Sequence, residues 1–266
     1  MDREAVLRAY DAEMRENARP DGPGARIERV GRVVRQIGPD FGWTGVLWSD
    51  LDEACADAEI AAQVRHFAGL GREFEWKVYS HDRPADLPER LRAAGFTAGP
   101  PETLMIGRIA DLPTGTEPPA GILLRPVTDA AGVDLAMEAN RRAFGTDNPD
   151  LGRQLLSWLA ETPETVVAVV AVTAEDGRPV SSARMELTPG TRFAGLWGGG
   201  TVPEWRGRGI YRALVAYRAR IAAARGYEYL QVDASADSRP ILERLGFAAR
   251  AVTTPYVRGP EGAPPA

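Results

Sequence analysis

One run of glycine, proline and arginine, set between a short apolar strand and a long amphipathic helix, limits this chain more than any other stretch. It reads LWGGGTVPEWRGRGIYRALVAYRARIAAARG, from Leu196 to Gly226. The basic turn Arg206-Gly207-Arg208-Gly209 opens the helix. Consecutive backbone N–H groups at such a turn, with the positive end of the helix dipole behind them, form an anion site suited to phosphate. The two arginines add charge and forked donors. The stretch reads as a cradle for the pyrophosphate of a nucleotide-type cofactor.

Composition narrows the alternatives. The 266 residues suffice for one large domain or two small ones with real cores. A formal net charge of -5 argues against general nucleic-acid binding, which needs an excess of basic charge on one face. No run approaches the length of a membrane helix, and the N-terminus MDREAVLRAYDAEMRE is charged throughout, so neither a membrane partner nor a signal peptide is expected. The single cysteine, Cys55, excludes an internal disulfide, fits a reducing cytoplasm and is expected to be a small buried core residue. Lys77 is the only lysine, which in a chain rich in Ala, Gly and Pro reads as codon bias. The two histidines, His66 and His81, lack partners at ligand spacing, so no metal site is expected. Neither GxxxxGK[ST] nor GxSxG occurs, which removes P-loop and α/β-hydrolase readings.

Along the chain, Val6, Leu7, Tyr10 and Met14 predict a helix over residues 3–17. Strands are expected over 27–37, 42–49 and 74–79, and near Phe96 and 104–109. Helices fall between them, up to about Gly69 and over 84–94. DLPTGTEPPAG, residues 111–121, has linker composition. Beyond it the pattern predicts strand 122–127, a helix capped by Thr128 or Asp129, a helix over 151–159, and strands 165–173 and 180–187. The opening strand and its helix come next, then strand 227–232, a short helix 240–245, and two last strands, 247–251 and 254–257. The tail GPEGAPPA is expected to be disordered.

An internal similarity bears on domain organisation. FEWKVYSHDRPADLPERLRAAGF (Phe74–Phe96) matches YLQVDASADSRPILERLGF (Tyr229–Phe247) as strand, polar loop, short helix and Leu-x-x-x-Gly-Phe. The halves read as two copies of one fold.

The C-terminal half resembles the GNAT superfamily of acyl-CoA-dependent N-acetyltransferases. Val202-Pro203-Glu204-Trp205-Arg206-Gly207-Arg208-Gly209-Ile210 matches that family's cofactor turn, with Tyr211 standing where Gly or Ala is usual. Leu242-Glu243-Arg244-Leu245-Gly246-Phe247 resembles the family's Y-E-K-L-G-F block, with Leu242 in the tyrosine's place. The resemblance implies an α/β fold: a mixed, mostly antiparallel central sheet flanked by helices, present in two tandem copies. It places a degenerate domain at 1–110, a linker at 111–121, a catalytic domain at 122–258 and a tail at 259–266. The N-terminal copy leads into its helix through Ser49-Asp50-Leu51-Asp52-Glu53, which is acidic and would repel a pyrophosphate, so it is expected to bind no cofactor.

By the same resemblance the chain is expected to move an acetyl group from acetyl-CoA, or another short acyl-CoA, to a primary amine of a small molecule. It would act as a monomer or homodimer. Net acidity mildly favours cationic acceptors. The cofactor contacts implied are Gly200, Thr201, Val202, Arg206, Gly207, Arg208, Gly209, Ile210, Tyr211 and Ser238. Gly198-Gly199-Gly200 reads either as a bulge that frees an amide for the thioester carbonyl or as a strand thinned against a bulky neighbour. Asp233, at the carboxyl end of its strand, and Glu186 are candidate general bases. Tyr211 or Tyr256 could replace the missing tyrosine as general acid. Asn140, Arg141, Phe144 and Trp197 are the candidate substrate contacts. Two rivals stand beside this reading. One is a dinucleotide-binding oxidoreductase, from Gly207-x-Gly209 and the later Asp233; the other is an acyl-CoA-binding module without catalysis.

Overall fold

The computed structural model describes residues 3–259, so the expectation for the tail from residue 260 onward lies outside the described residues. Helix α1 (Arg3–Tyr10) runs on into a π-helical turn, Asp11–Glu16. There follow β1 (Arg26–Val30), β2 (Val33–Ile37), β3 (Gly45–Ser49), α2 (Ala56–Gly69), β4 (Phe74–Tyr79), α3 (Leu87–Ala93), β5 (Thr97–Ala98) and β6 (Glu102–Arg108). The second half holds β7 (Ile122–Val127), α4 (Ala130–Phe144), α5 (Pro149–Glu161), β8 (Val166–Thr173), β9 (Pro179–Leu187), β10 (Phe193–Thr201), α6 (Ile210–Ala224), β11 (Tyr229–Ala234), α7 (Arg239–Arg244) and β12 (Ala248–Arg258).

Local chemistry sets several of these bounds. Asp129 accepts the amide of Gly132 at 2.8 Å and caps α4. Asn148 does the same for α5 through Leu151, with Pro149 at the first helical position. The stretch expected as one strand over 27–37 is a hairpin, because Gly31 takes a φ of 58° between β1 and β2. The two last strands expected are one, β12, whose register shifts between Ala249 and Ala251.

The strands form one sheet in the order β1-β2-β3-β4-β12-β6-β11-β10-β9-β8-β7, with β5 paired to β12. Its centre is an exchange between the halves. β6, from the first half, runs antiparallel to β11 of the second. β12, from the second half, runs antiparallel to β4 of the first. The two exchanged strands pair with each other. The backbone ladder is therefore continuous across the chain, and neither half closes its own sheet.

Alternation along the strands divides the molecule into two faces. On one face, Met185, Leu196, Leu230 and Leu242 pack around α6 and α7, and Val46, Phe67, Trp76 and Leu91 pack around α2 and α3. Side chains of this size stabilise by about 1.5–3 kcal/mol each when fully buried. The other face carries α1 with Phe193 and Tyr229, and α4 and α5 with Trp158 and Val170. Between those two helical groups the sheet is left uncovered by helix, and there a cavity opens.

Candidate active site

β10 and β11 are parallel neighbours for only three pairs, Phe193↔Tyr229 to Gly195↔Gln231. Beyond Gly195 they diverge, and β10 continues to Thr201 paired only with β9. The result is a wedge whose vertex is the Gly195–Gln231 pair. Glu186 stands opposite Gly195 on β9. Glu186, Gly195 and Gln231 thus form one row at the vertex, on the uncovered face.

The glycine run beyond the vertex is both a bulge and a thinned strand. Pairing with β9 shifts between Trp197 and Gly200, and Gly198 has a φ of 59°. A Cβ on Gly199 would stand 2.9 Å from the Tyr211 ring, and one on Gly200 would stand 2.5 Å from the Phe144 ring. Tyr211 therefore fills space that Gly199 vacates, packed with the apolar cluster around α6. It is on the opposite face from Glu186 and Asp233, so the structure does not bring it together with them. Burial raises its phenol above the usual range, with Arg218 opposing.

At the turn, Gly207 and Gly209 take φ values of 74° and 86°, which an L side chain would resist. Among the described residues the amides from Gly207 to Tyr211 meet no backbone or side-chain acceptor, as expected for the first turn of α6 without a capping side chain. Arg206 is spent on the fold: its guanidinium donates to Thr201 O at 3.0 Å and Ala143 O at 3.1 Å. Arg208 is exposed and lies 4.6 Å over the Trp205 ring. The Val202 amide is taken by Val180 O. Ser238 donates to Ser235 O at 3.3 Å in the turn before α7. β10 enters from an antiparallel hairpin with β9 rather than a βαβ crossover, so the dinucleotide-binding geometry is not present. The free amides, open glycines and helix N-terminus fit a pyrophosphate.

The corresponding turn of the first half is closed by its own side chain. Asp52 Oδ1 accepts the amides of Ala54 and Cys55 at 3.0 and 2.9 Å, and Oδ2 pairs with Arg32 at 2.8 Å. A carboxylate occupies the position that an anionic ligand would need. Cys55 is half-buried at this turn, its Sγ 3.7 Å from Arg32, rather than deep in the core as expected.

A cavity of about 680 Å³ lies on the uncovered face between the halves. Its floor includes Glu186 and Arg184 of β9, Trp197 of β10, Gln231 and Asp233 of β11, and Glu75, Lys77 and Tyr79 of β4. Its roof is the segment from Tyr10 to Pro23. That roof is tied to both halves. The amide of Asp21 donates to Gln36 at 3.1 Å, and its carbonyl accepts Trp158 Nε1 at 2.9 Å.

Of the sequence-predicted residues, Glu186, Asp233 and Trp197 reach this cavity. Asn140, Arg141 and Phe144 do not: Asn140 is buried in α4, Arg141 is exposed, and Phe144 lies over Gly200 on the wall of the wedge. Tyr256 is buried in the core around α2 and α3.

The two carboxylates differ in state. Asp233 accepts from the Lys77 ammonium and, at 3.2 Å, from Thr253 Oγ1, and its side chain is 2% exposed. Burial works against the Lys77 charge, but Asp233 outweighs it and holds the ammonium above its ordinary pKa. Glu186 accepts from Arg184 Nε at 2.9 Å. Burial pushes the Glu186 carboxyl up, Arg184 opposes, and Asp21 across the cavity adds to the rise. Among the described residues Gln231 Oε1 is buried without a donor, and the residue is 3% exposed.

Lys77, Gln231, Glu75, Glu102 and the roof were not read from the sequence. Only the solitary lysine in an all-arginine chain gave a signal.

The sequence model of the Acetyltransferase (GNAT) family matches residues 133–247. Residues 133–247 match a GNAT domain. The match runs from within α4 to just past α7, and takes in the wedge and the turn that opens α6. No curated protein matches the chain significantly in sequence. Among solved structures, the GCN5-related N-acetyltransferase from Kribbella flavida is similar over 98% of this chain and 95% of its own, at 20% identity and a TM-score of 0.67. A tandem GNAT protein from the clavulanic acid biosynthesis pathway covers 99% of this chain and 95% of its own, at 15% identity and a TM-score of 0.59. A functionally unknown protein from Staphylococcus epidermidis covers 92% and 97%, at 14% identity and a TM-score of 0.66. These likenesses extend the GNAT fold over nearly the whole chain, with the first half as the second copy. Among the described residues no helix is long and apolar enough to cross a membrane.

Proposed function

We propose that this protein transfers an acyl group, acetyl in the first instance, from acyl-CoA to the amine of a small cationic molecule held in the cavity between the halves. One observation carries the reading. Glu186, a carboxyl pushed up by burial, and Gln231, a buried acceptor without a donor, flank the vertex of the β10–β11 wedge. The acyl-CoA would supply a thioester. Its pyrophosphate would lie on the amides from Gly207 to Tyr211, and its pantetheine along β10 from Leu196 to Thr201.

An amine is protonated at neutral pH and attacks only when neutral. A carboxylate with a raised pKa is a better proton acceptor than an ordinary one. Glu186 takes that role, directly or through one water. Gln231 Oε1 holds an N–H of the amine and aims its lone pair toward the wedge. Asp233 is an unsuitable base because its carboxylate is already engaged by Lys77 and Thr253. It fixes the floor instead. Asp52 closes the turn of the first half, which then binds no cofactor and serves as one wall of the acceptor site.

The test is a panel of amines offered to the full chain with acetyl-CoA, following free thiol. Amine-dependent release is expected, and Glu186→Gln should lower kcat by about 100-fold, within the range for loss of a general base. Tight acetyl-CoA binding without release for any amine would favour the acyl-CoA-binding module. Glu186→Gln at wild-type rate would remove Glu186 from the mechanism.

A further inference from the structure

The charges around the cavity are not balanced. Most carboxylates along its wall and beside it meet a cation in contact: Asp233 meets Lys77, Glu186 meets Arg184, Glu13 meets Arg192, and Asp82 meets Arg15. Glu75 on β4 and Glu102 on β6 line the cavity without an ion-pair partner among the described residues; on the roof, Asp21 and Arg19 have none either. Glu75 accepts one hydrogen bond, from Trp43 Nε1 at 3.0 Å. Glu102 is pushed up by burial and by the negative charges of Asp233 and Glu75, with Lys77 opposing. Three carboxylates thus share a single ammonium, and that ammonium is in contact with Asp233. Glu75 and Glu102 are left without a cation in contact.

A second observation, independent of the acids, points to a ligand in the same space. Gln231 is 3% exposed and its Oε1 has no donor among the described residues, although a buried acceptor left unpaired costs about 1–3 kcal/mol. It lines the cavity and stands beside the wedge. An incoming N–H would satisfy it. The indole of Trp43 beside Glu75 adds an aromatic face of the kind that binds organic cations. The cavity therefore has one hydrogen-bonding and proton-accepting end at Gln231 and Glu186, and one anionic end at Glu75 and Glu102.

We propose that the acceptor is a dication: an amine that receives the acyl group at the Gln231–Glu186 end and carries a second, protonated nitrogen held by Glu75 and Glu102. This rests on the acyl-transfer reading for the role of the first nitrogen only. The carboxylates of the second site come from β4 and β6, both in the first half. The copy whose cofactor turn is closed would then select the acceptor.

The experiment uses the full chain and α,ω-diamines from 1,3-diaminopropane to 1,8-diaminooctane, each beside the monoamine of the same length. Binding is read by calorimetry with and without acetyl-CoA, and turnover by thiol release. The expected result is a diamine-to-monoamine affinity ratio of at least about tenfold for the best-fitting length in the series, the fold-change of one well-placed charge contact. Glu102→Gln and Glu75→Gln, which keep the side-chain shape, should each lower that ratio, and the double variant should bring it to about twofold or less. A wild-type ratio near one, or a ratio unmoved in both variants, would overturn the proposal even if a variant folds poorly, because the wild-type series stands alone. The two readings fail separately. Preferential diamine binding without thiol release leaves the dication site and removes acyl transfer; equal thiol release from both amine types does the reverse.

Discussion

Lys77 on β4 and Asp233 on β11 are in contact although β12 and β6 lie between their strands in the sheet order. The pair joins the two halves at the floor of the cavity. Its side chains are 16% and 2% exposed. Removing one partner of such a pair strands the other charge in a low-dielectric site, which typically costs about 3–5 kcal/mol. Lys77→Met should therefore lower the free energy of unfolding by about 3 kcal/mol. Lys77→Met with Asp233→Asn should recover much of that loss, because no charge is then left alone. Urea unfolding of the wild type, both single variants and the double variant checks this. Additive losses would mean that the contact is not made in solution.

A raised carboxyl gives Glu186 a signature in pH. A base must be deprotonated, so kcat/KM should rise with pH through the Glu186 pKa, at a midpoint above the ordinary carboxylate range. The stability effect has the opposite sense. A group whose folded pKa lies above its unfolded value adds stability at low pH and loses it as pH rises through the folded pKa. Glu186→Gln should thus be slow, yet more stable than the wild type near pH 7–8, with the gain vanishing at acid pH. A stability deficit at neutral pH would show that the Arg184 contact outweighs burial.

Cofactor binding should depend on one turn only. Gly209→Ala forces a left-handed backbone on a residue with a Cβ, at a cost of about 1–2 kcal/mol. It should weaken acetyl-CoA binding about tenfold, by calorimetry, without changing the stoichiometry of one per chain. Asp52→Ala should lower stability slightly, through loss of the bonds from the Ala54 and Cys55 amides, and leave acetyl-CoA affinity unaltered. Two molecules bound per chain would show that the first half retains a site.

The open, glycine-rich turn at Arg206–Gly209 was readable in the sequence because its geometry is local. Gly207, Gly209 and the start of α6 are consecutive, and positive φ, free amides and helix dipole all follow from residues within one turn. The strand exchange was not readable. ETLMIGR of β6 alternates as any half-buried strand does, and nothing in it states that its partners are β11 and β12 rather than β4. The cavity depends on that exchange, since it brings Glu75, Glu102 and Lys77 to the same space as Glu186. Asp233 was identified as a residue of the site, but its engagement by a lysine 156 positions away is invisible in one dimension. Tyr211, a candidate acid in the sequence, stands apart from the two carboxylates for a related reason. The bulge at Gly198 sets which face each residue beyond it serves, and the Tyr211 ring packs where Gly199 has no side chain.

Tyr211→Phe follows from that packing. The hydroxyl is on the face away from Glu186, so its removal should leave kcat within about twofold, below the 10²–10⁴ range typical of a lost general acid. Tyr211→Ala should open a cavity behind the bulge and cost about 3–5 kcal/mol, as for other large-to-small aromatic changes. Steady-state kinetics and thermal unfolding separate the two. A kcat loss above about 100-fold in the Phe variant would restore Tyr211 as acid.

Arg15 should control the roof. It is 2% exposed, donates to both oxygens of Asp82 at 2.7 Å, to Asp11 at 2.8 Å and to Leu47 O at 3.2 Å, and stacks 3.7 Å over the Tyr79 ring. These contacts hold the π-helical turn against β3 and β4, and the cavity roof continues directly from it. Arg15→Met keeps much of the apolar stem but leaves Asp82 and Asp11 without their cation. It should destabilise by about 3–5 kcal/mol and raise KM for the amine more than the Kd for acetyl-CoA, because the wedge and turn lie in the other half. The pH sense follows from Asp11. Burial pushes its carboxyl up, but the contacts with His81 and Arg15 outweigh burial and hold it below the usual value. A depressed carboxyl contributes stability above its unfolded pKa and loses it as pH falls through the folded one. The stability difference between wild type and Arg15→Met should therefore be full at neutral pH and shrink below about pH 4. A difference that persists unchanged at pH 2–3 would mean that the latch is held by stacking on Tyr79 rather than by charge.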